Sequence, residues 1–201
     1  MLKADLHVHT RFSQDSSISP KTLVELLSAH PSIKAVAVTD HNTVDGCRRT
    51  RELAAAYSDI LIIPGVEITT PLGDLIVLGV EALPPRPWSV ENVLEFAKAN
   101  GGVTVVAHPF REYGMGYLAR NYSVDAIEVL NGCAPANVNR LAEGLAREMN
   151  LPGVAGSDAH NVDELWTVCT EIEAPPSTER VLDALRKGLV SVSSLSRSIR
   201  F

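Results

Sequence analysis

Short apolar, β-branched runs alternate along this chain with amphipathic stretches of helical period, and this alternation limits the fold more than any other feature. The runs at 4–8, 35–39, 60–66, 75–80, 103–107, 126–130 and 153–156 read as strands, and those at 167–172 and 190–194 as two more. Ser19-Pro20 opens a helix over 21–29 that sets Leu23, Leu26 and Leu27 on one face. Ser89 and Glu91 open another that runs to residue 99 and stops at Asn100-Gly101-Gly102. Residues 137–149 and 178–187 are two further helices, and Gly188 suits the position just past the second. Strand and helix at this spacing imply parallel strands joined by crossover helices, closed into a barrel or left as an open doubly wound sheet. The 201 residues suffice for one domain, expected to span 1–201. Leu83-Pro84-Pro85-Arg86-Pro87 is a stiff loop and not a boundary, because too little chain precedes it for a separate core.

The chemistry-bearing residues fall at the strand ends. Of six histidines, five do so: His7, His9, His41, His108 and His160. The sixth, His30, follows a helix and precedes Pro31, which suits an imidazole facing helix carbonyls. In Asp5-Leu6-His7-Val8-His9 the two imidazoles alternate with other residues, so an extended backbone points both to one face. Thr39-Asp40-His41, Val66-Glu67, His108-Pro109 and Ser157-Asp158-Ala159-His160 sit at other strand ends. In parallel α/β folds these ends gather on one side, where sites are built. Carboxylates brought together there repel one another unless cations intervene. Nitrogen and oxygen donors without thiolates fit Zn, Mn or Fe, and more than four of them suggest two or three divalent ions with a bridging carboxylate.

Net charge and cysteine content narrow the function classes. With 18 basic against 24 acidic side chains the net charge is −6, which argues against extended nucleic-acid binding. Cys47, Cys133 and Cys169 are widely spaced and odd in number, which suits reduced thiols rather than a disulfide framework. No leader-like stretch or membrane-length apolar run occurs, so a soluble, cytoplasmic protein is expected. G-x-S-x-G, G-x-G-x-x-G and P-loop patterns are absent from the sequence.

Asp5-Leu6-His7-Val8-His9-Thr10, Thr39-Asp40-His41, Gly65-Val66-Glu67, His108-Pro109 and Gly156-Ser157-Asp158-Ala159-His160 together resemble the PHP (polymerase and histidinol phosphatase) superfamily of metallophosphoesterases, in order and in spacing. The resemblance implies a distorted (β/α)7 barrel with a di- or trinuclear metal site. Carried over, His7, His9, Glu67 and Asp158 hold a first ion. Glu67 bridges to a second, which His108 also binds. His41, His160 and Asp15 hold a third. Many members place a further histidine near the fourth strand; here Gly73-Asp74-Leu75 stands there, with Asp74 as the substitute donor. Asp5 and Asp40 are expected beside the imidazoles as orienting acceptors, and Arg111 and Asn131 as substrate contacts. The implied activity is hydrolysis of a small phosphorylated substrate, a phosphomonoester or nucleotide, by a metal-activated hydroxide. Glu67, Asp158 and His160 lie nearest the chemistry, with Asp158, His160 or water returning the proton. The alternatives are a nuclease trimming nucleic-acid ends and a non-catalytic, metal-stabilised binding module. Met115, Tyr117 and Tyr122, in the loop over 111–122, either line a pocket or pack.

Overall fold

The computed structural model describes residues 1–195. The nine expected strands all form: β1 (Leu2–Val8), β2 (Ile33–Val38), β3 (Leu61–Thr70), β4 (Gly73–Leu78), β5 (Val103–Val106), β6 (Ala126–Asn131), β7 (Gly153–Gly156), β8 (Val168–Ile172) and β9 (Val190–Ser194). They make one sheet in the order β7-β6-β5-β4-β3-β2-β1-β8-β9. The sheet curls until its ends meet. Past the β1–β8 ladder, the Asp158 N–H donates to His7 O (2.7 Å) and the His9 N–H to Ala159 O (3.1 Å). On the other side of the closure the Thr170 hydroxyl accepts from Ala155 N–H (2.8 Å) and donates to Ala155 O (3.0 Å). One side chain thus takes the place of a ladder rung, and the result is a nearly closed, distorted barrel.

The all-parallel expectation fails at four pairings. β3–β4, β4–β5, β1–β8 and β8–β9 are antiparallel. Only Pro71 and Leu72 separate β3 from β4, too few for a crossover, so these two strands pair as a hairpin. Reversing β4 brings its first residues, not its last, to the end of the barrel where β1, β2 and β5 finish.

Helices α1 (Pro20–Ala29), α2 (Asp45–Ala54), α3 (Val90–Ala99), α4 (Ala136–Met149) and α5 (Thr178–Arg186) complete the fold. Ser19 and Ser89 cap α1 and α3 by accepting from Thr22 N–H and Asn92 N–H, as the sequence signals imply. Gly101 and Gly188, beyond α3 and α5, both take φ +67°, a conformation that costs glycine little. α2 was not expected from the sequence. Its buried face is Gly46, Cys47, Thr50 and Ala54, with no large apolar residue to mark the period. α1 and α2 cover Val8, Val36, Val38 and Ile62 on the outside of the barrel. α3 and α4 cover Val66, Val77, Val106 and Ile127. α5 lies across the strand-start end, where Val181, Leu182 and Leu185 join the barrel interior of Leu6, Ala37, Ile63, Ile76 and Val105. Each fully buried leucine there contributes roughly 1.5–3 kcal/mol. Gly79 permits the approach, because a Cβ on it would stand 2.4 Å from Leu182 Cδ1.

His30 does not face helix carbonyls. Its Nδ1 accepts from Ile33 N–H (2.8 Å) and Ser32 N–H (3.2 Å), so it steers the chain from α1 into β2 as a neutral ring. Burial lowers its pKa, with Lys34 adding to the effect. Among the described residues no helix is long and apolar enough to cross a membrane, and all three cysteines are free.

Candidate metal centre

Two β-bulges aim the strand-end residues inward. Between Asp5↔Val36 and Val8↔Val38, β1 advances three residues against two of β2. Leu2, Ala4 and Leu6 line the barrel core, and the extra residue lets His7 follow them inward. Val8 then packs outward and His9 points in again. β6 repeats the device between Glu128↔Val154 and Leu130↔Ala155, so that Asn131 faces the same space as Glu128. On β4 the inner face runs Leu78, Ile76, Asp74, two apolar residues and then a carboxylate. His108 (φ 24°) and Asp158 (φ 56°) leave their strands in left-handed backbone, which for non-glycine residues costs on the order of 1–3 kcal/mol each.

Four buried groups converge at the centre. His7 Nε2 and His9 Nε2 are 3.0 Å apart. Each lies 3.2 Å from Glu67 Oε2 and 3.3 Å from Asp158 Oδ1. Ligand atoms about 2.0 Å from a tetrahedral ion stand about 3.3 Å from one another. The five separations of 3.0–3.3 Å therefore have the size of that tetrahedron's edges. The ring protons are committed elsewhere. His7 Nδ1 donates to Glu128 Oε1 (2.9 Å), and His9 Nδ1 to Ser13 Oγ (3.2 Å). With those protons on Nδ1, each ring turns its Nε2 toward the other and toward two carboxylates, an arrangement that a cation satisfies, or a proton where no ion is bound.

Further donors surround this quartet. Glu67 Oε1 meets His108 Nε2 at 3.0 Å, and Asp74 joins them within 4.8 Å. His41 Nδ1 stands 3.1 Å from Glu67 Oε2. The His41 and His160 rings stack on His9 at 4.4 and 4.2 Å. His160 Nδ1 donates to Asp158 O (2.9 Å), leaving Nε2 toward the mouth, 3.4 Å from Asp15 Oδ2. Asp15 also lies 3.6 Å from His41 Nε2 and is 57% exposed. Arg111 reaches Asp158 Oδ2 and, at 3.1 Å, Asn131 Oδ1. Asn131 Nδ2 donates to Glu128 Oε2 (3.0 Å) and Asp158 Oδ2 (3.2 Å).

The structure thus brings His7, His9, Asp15, His41, Glu67, Asp74, His108, Asp158, His160, Arg111 and Asn131 to one mouth. Asp5 and Asp40 take other partners. Asp5 Oδ1 accepts from Ser157 N–H (2.8 Å) and weakly from His7 N–H (3.4 Å), which ties β1 to the chain after β7 rather than orienting a ring. Asp40 accepts from Thr10 N–H (2.6 Å), Thr10 Oγ1 (2.7 Å) and Ser13 Oγ (2.9 Å), and reaches His9 only through Ser13. Glu128 and Ser13 are the orienting partners the sequence reading missed. A carboxylate inside the apolar run Ala126-Ile127-Glu128-Val129 is the signal that could have found the first, since a buried charge requires a partner. Of the aromatic loop, Met115 is buried in the outer core and Tyr117 is exposed, its ring edge-on to Phe110.

The electrostatics match a cation site. Burial pushes the Glu67 carboxyl up, but His7, with His108 and His9, holds it well below the usual carboxylate range. Burial opposes charge on His9, and hydrogen bonds to Asp158 and Glu67 outweigh it, raising the ring to about 9. Burial, then the Glu67 charge, pushes Asp74 up to about 6. Among the described residues four buried side-chain atoms have no hydrogen-bond partner, and three belong here: His41 Nδ1, Asp74 Oδ1 and His108 Nδ1. Unpartnered donor atoms at a site of nitrogen and oxygen ligands fit divalent ions.

Comparison with known proteins agrees with this geometry. The family model described as PHP domain matches residues 5–143, and that described as PHP-associated matches 136–190. An uncharacterized protein of Methanocaldococcus jannaschii is 30% identical over 142 residues, covering 65% of this chain and 82% of the relative. A second from the same organism is 28% identical over 175 residues, covering 82% and 68%. Among solved structures, PsfC from Pseudomonas syringae PB-5123 superposes with a TM-score of 0.73 at 22% identity, covering 98% of this chain and 93% of that one. An amidohydrolase from Chromobacterium violaceum gives 0.65 at 18%, covering 80% and 88%. A candidate metal-dependent phosphoesterase from Bifidobacterium adolescentis gives 0.64 at 17%, covering 78% and 87%.

Proposed function

Because the chain belongs to the PHP family, we propose that it is a metal-dependent phosphoesterase acting on a small phosphomonoester or nucleotide. The observation that carries this reading is the buried quartet of His7, His9, Glu67 and Asp158, with Arg111 and Asn131 beside it.

Divalent ions held here, two or three of Zn, Mn or Fe, would lower the pKa of water and polarise phosphoryl oxygens. The chain's own groups do the rest. His7 and His9 present lone pairs because Glu128 and Ser13 hold their other ring nitrogens. Glu67 offers one oxygen to the quartet and the other to His108, so it bridges two subsites. Asp158 stays a carboxylate: burial raises its pKa, but His7 and His9 hold it well below the usual range. The proton for a leaving oxygen comes from Asp158, His160 or water. At the rim His160 Nε2 can carry a proton to a leaving oxygen or join His41 and Asp15 on an ion, but not both. Arg111, part-exposed, supplies planar donors for a phosphoryl oxygen once a substrate competes for them.

The test is metal-loaded protein against an aryl phosphate, a nucleoside monophosphate panel, short oligonucleotides and a simple amide. Turnover of the monoesters that disappears in His9→Ala supports the reading. Turnover of oligonucleotides alone favours end-trimming, and retained ions with no turnover favour the binding module.

A further inference from the structure

The donors divide by chemistry as well as by place. The quartet offers two imidazoles and two carboxylates, and the rim cluster of His9, His41 and His160 offers three imidazoles. The third cluster, Glu67, Asp74 and His108, is buried and offers one imidazole and two carboxylates. Asp74 has no evident structural reason to be acidic. It is 3% exposed, its Oδ1 has no partner, and the next inward positions on its strand face, Ile76 and Leu78, are apolar. Its backbone is fixed by bonds from Asp74 N–H to Tyr113 O (2.8 Å) and from Ala107 N–H to Asp74 O (3.3 Å), and its carboxylate meets Thr69, its pair across the β3–β4 hairpin, which leaves Oδ1 free. A second buried carboxylate beside Glu67 adds repulsion that a bound divalent ion relieves.

We infer that Asp74 is a metal ligand that makes the Glu67–Asp74–His108 subsite oxygen-rich, so that it discriminates against manganese less than the imidazole-rich positions do. The centre is then able to hold unlike ions, manganese in this subsite and zinc in the others. Imidazole suits zinc, while carboxylate oxygens suit manganese and magnesium. Zinc outcompetes manganese at almost any such site, so the selectivity lies in the ratio of the two affinities, not in which is larger. This inference rests on the proposal that the cluster holds ions.

The experiment is competition on metal-free protein with manganese in excess, zinc titrated in, ions per chain counted by elemental analysis and bound manganese followed by its paramagnetic resonance. In the wild type, one manganese persists after the other positions have taken zinc. In Asp74→His, the zinc concentration displacing half of that manganese falls by about tenfold or more. Asp74→Asn, close in shape, loses the persistent manganese and keeps the other ions. Displacement curves unchanged in both variants, or no persistent manganese in a wild type that retains zinc, would overturn the inference while leaving the metal site standing. A wild type that retains no ion at all would overturn both.

Discussion

The quartet and the rim use the same kinds of side chain in opposite settings. His7, His9, Glu67 and Asp158 are buried, and their oxygens and nitrogens already stand 3.0–3.3 Å apart. His41, His160 and Asp15 are 29, 25 and 57% exposed, with separations of 3.4–3.6 Å to the Asp15 carboxylate. Water can satisfy the rim groups when no ion is present. The quartet is buried, and unpaired charge there would cost several kcal/mol. On the proposed function, the contrast predicts a tightly held ion at the quartet and a more exchangeable one at the rim.

The largest effect that would break this contrast belongs to Glu67→Gln. It removes the carboxylate proposed to bridge two subsites, and ion retention and the proposed phosphoesterase turnover should both fall by more than the roughly 10–100-fold that loss of a supporting partner costs. Equal retention in Glu67→Gln and wild type, measured by elemental analysis, would mean that the quartet is not the stronger site.

Glu128→Gln comes next. It touches no proposed ion but holds His7 Nδ1, the His108 N–H (2.7 Å) and Asn131. Ion affinity should drop by about 10–100-fold with the fold intact, as read by chelator competition and circular dichroism.

Acidity sharpens the contrast from another direction. In metal-free protein His9 titrates at about 9 against an ordinary 6.5. A raised folded pKa stabilises fully below 6.5 and is lost as pH climbs through 9. Thermal midpoints of chelated protein should therefore fall between pH 6.5 and 9, by about 2–4 °C per kcal/mol for a chain of this size. Metal-loaded protein should lack this fall, because the ion already occupies the proton's place. Parallel melting curves for the two forms would count against occupation of the quartet.

The smallest effect is expected from Asp15→Asn. An exposed carboxylate contributes little, so affinity at the rim should weaken by less than about tenfold, with quartet ions unchanged. A loss as large as that of Glu67→Gln, in the same elemental analysis, would erase the distinction.

The sequence showed these positions because strand-end chemistry leaves a residue-type signature: a histidine or acid directly after a β-branched run. His7, His9, Glu67 and Asp158 were legible on that basis. Glu128 was not, since it sits within its run and acts through a partner 121 positions away. Asp5 and Asp40 were legible as buried acids beside the site, but their partners depend on how β1 meets the chain after β7 and on the loop after β1, which spacing does not encode. The direction of β4 was hidden for a similar reason. Alternation marks where strands lie, but the two-residue link after Thr70 decides that the chain turns back. α2 stayed hidden because close approach at Gly46, where a Cβ would stand 1.8 Å from Asp40 Oδ2, selects small residues over large apolar ones.

The floor formed by Val181, Leu182 and Leu185 of α5 has a kinetic corollary. Leucine closes the strand-start end of the barrel, so on the proposed function a reactant at the donor cluster enters and leaves by the opposite mouth. Traffic in and out must alternate. If the proposed phosphoesterase activity holds, inorganic phosphate and unreacted ester would compete at the Arg111 threshold, and accumulating product should slow turnover by competition rather than by any change in the protein.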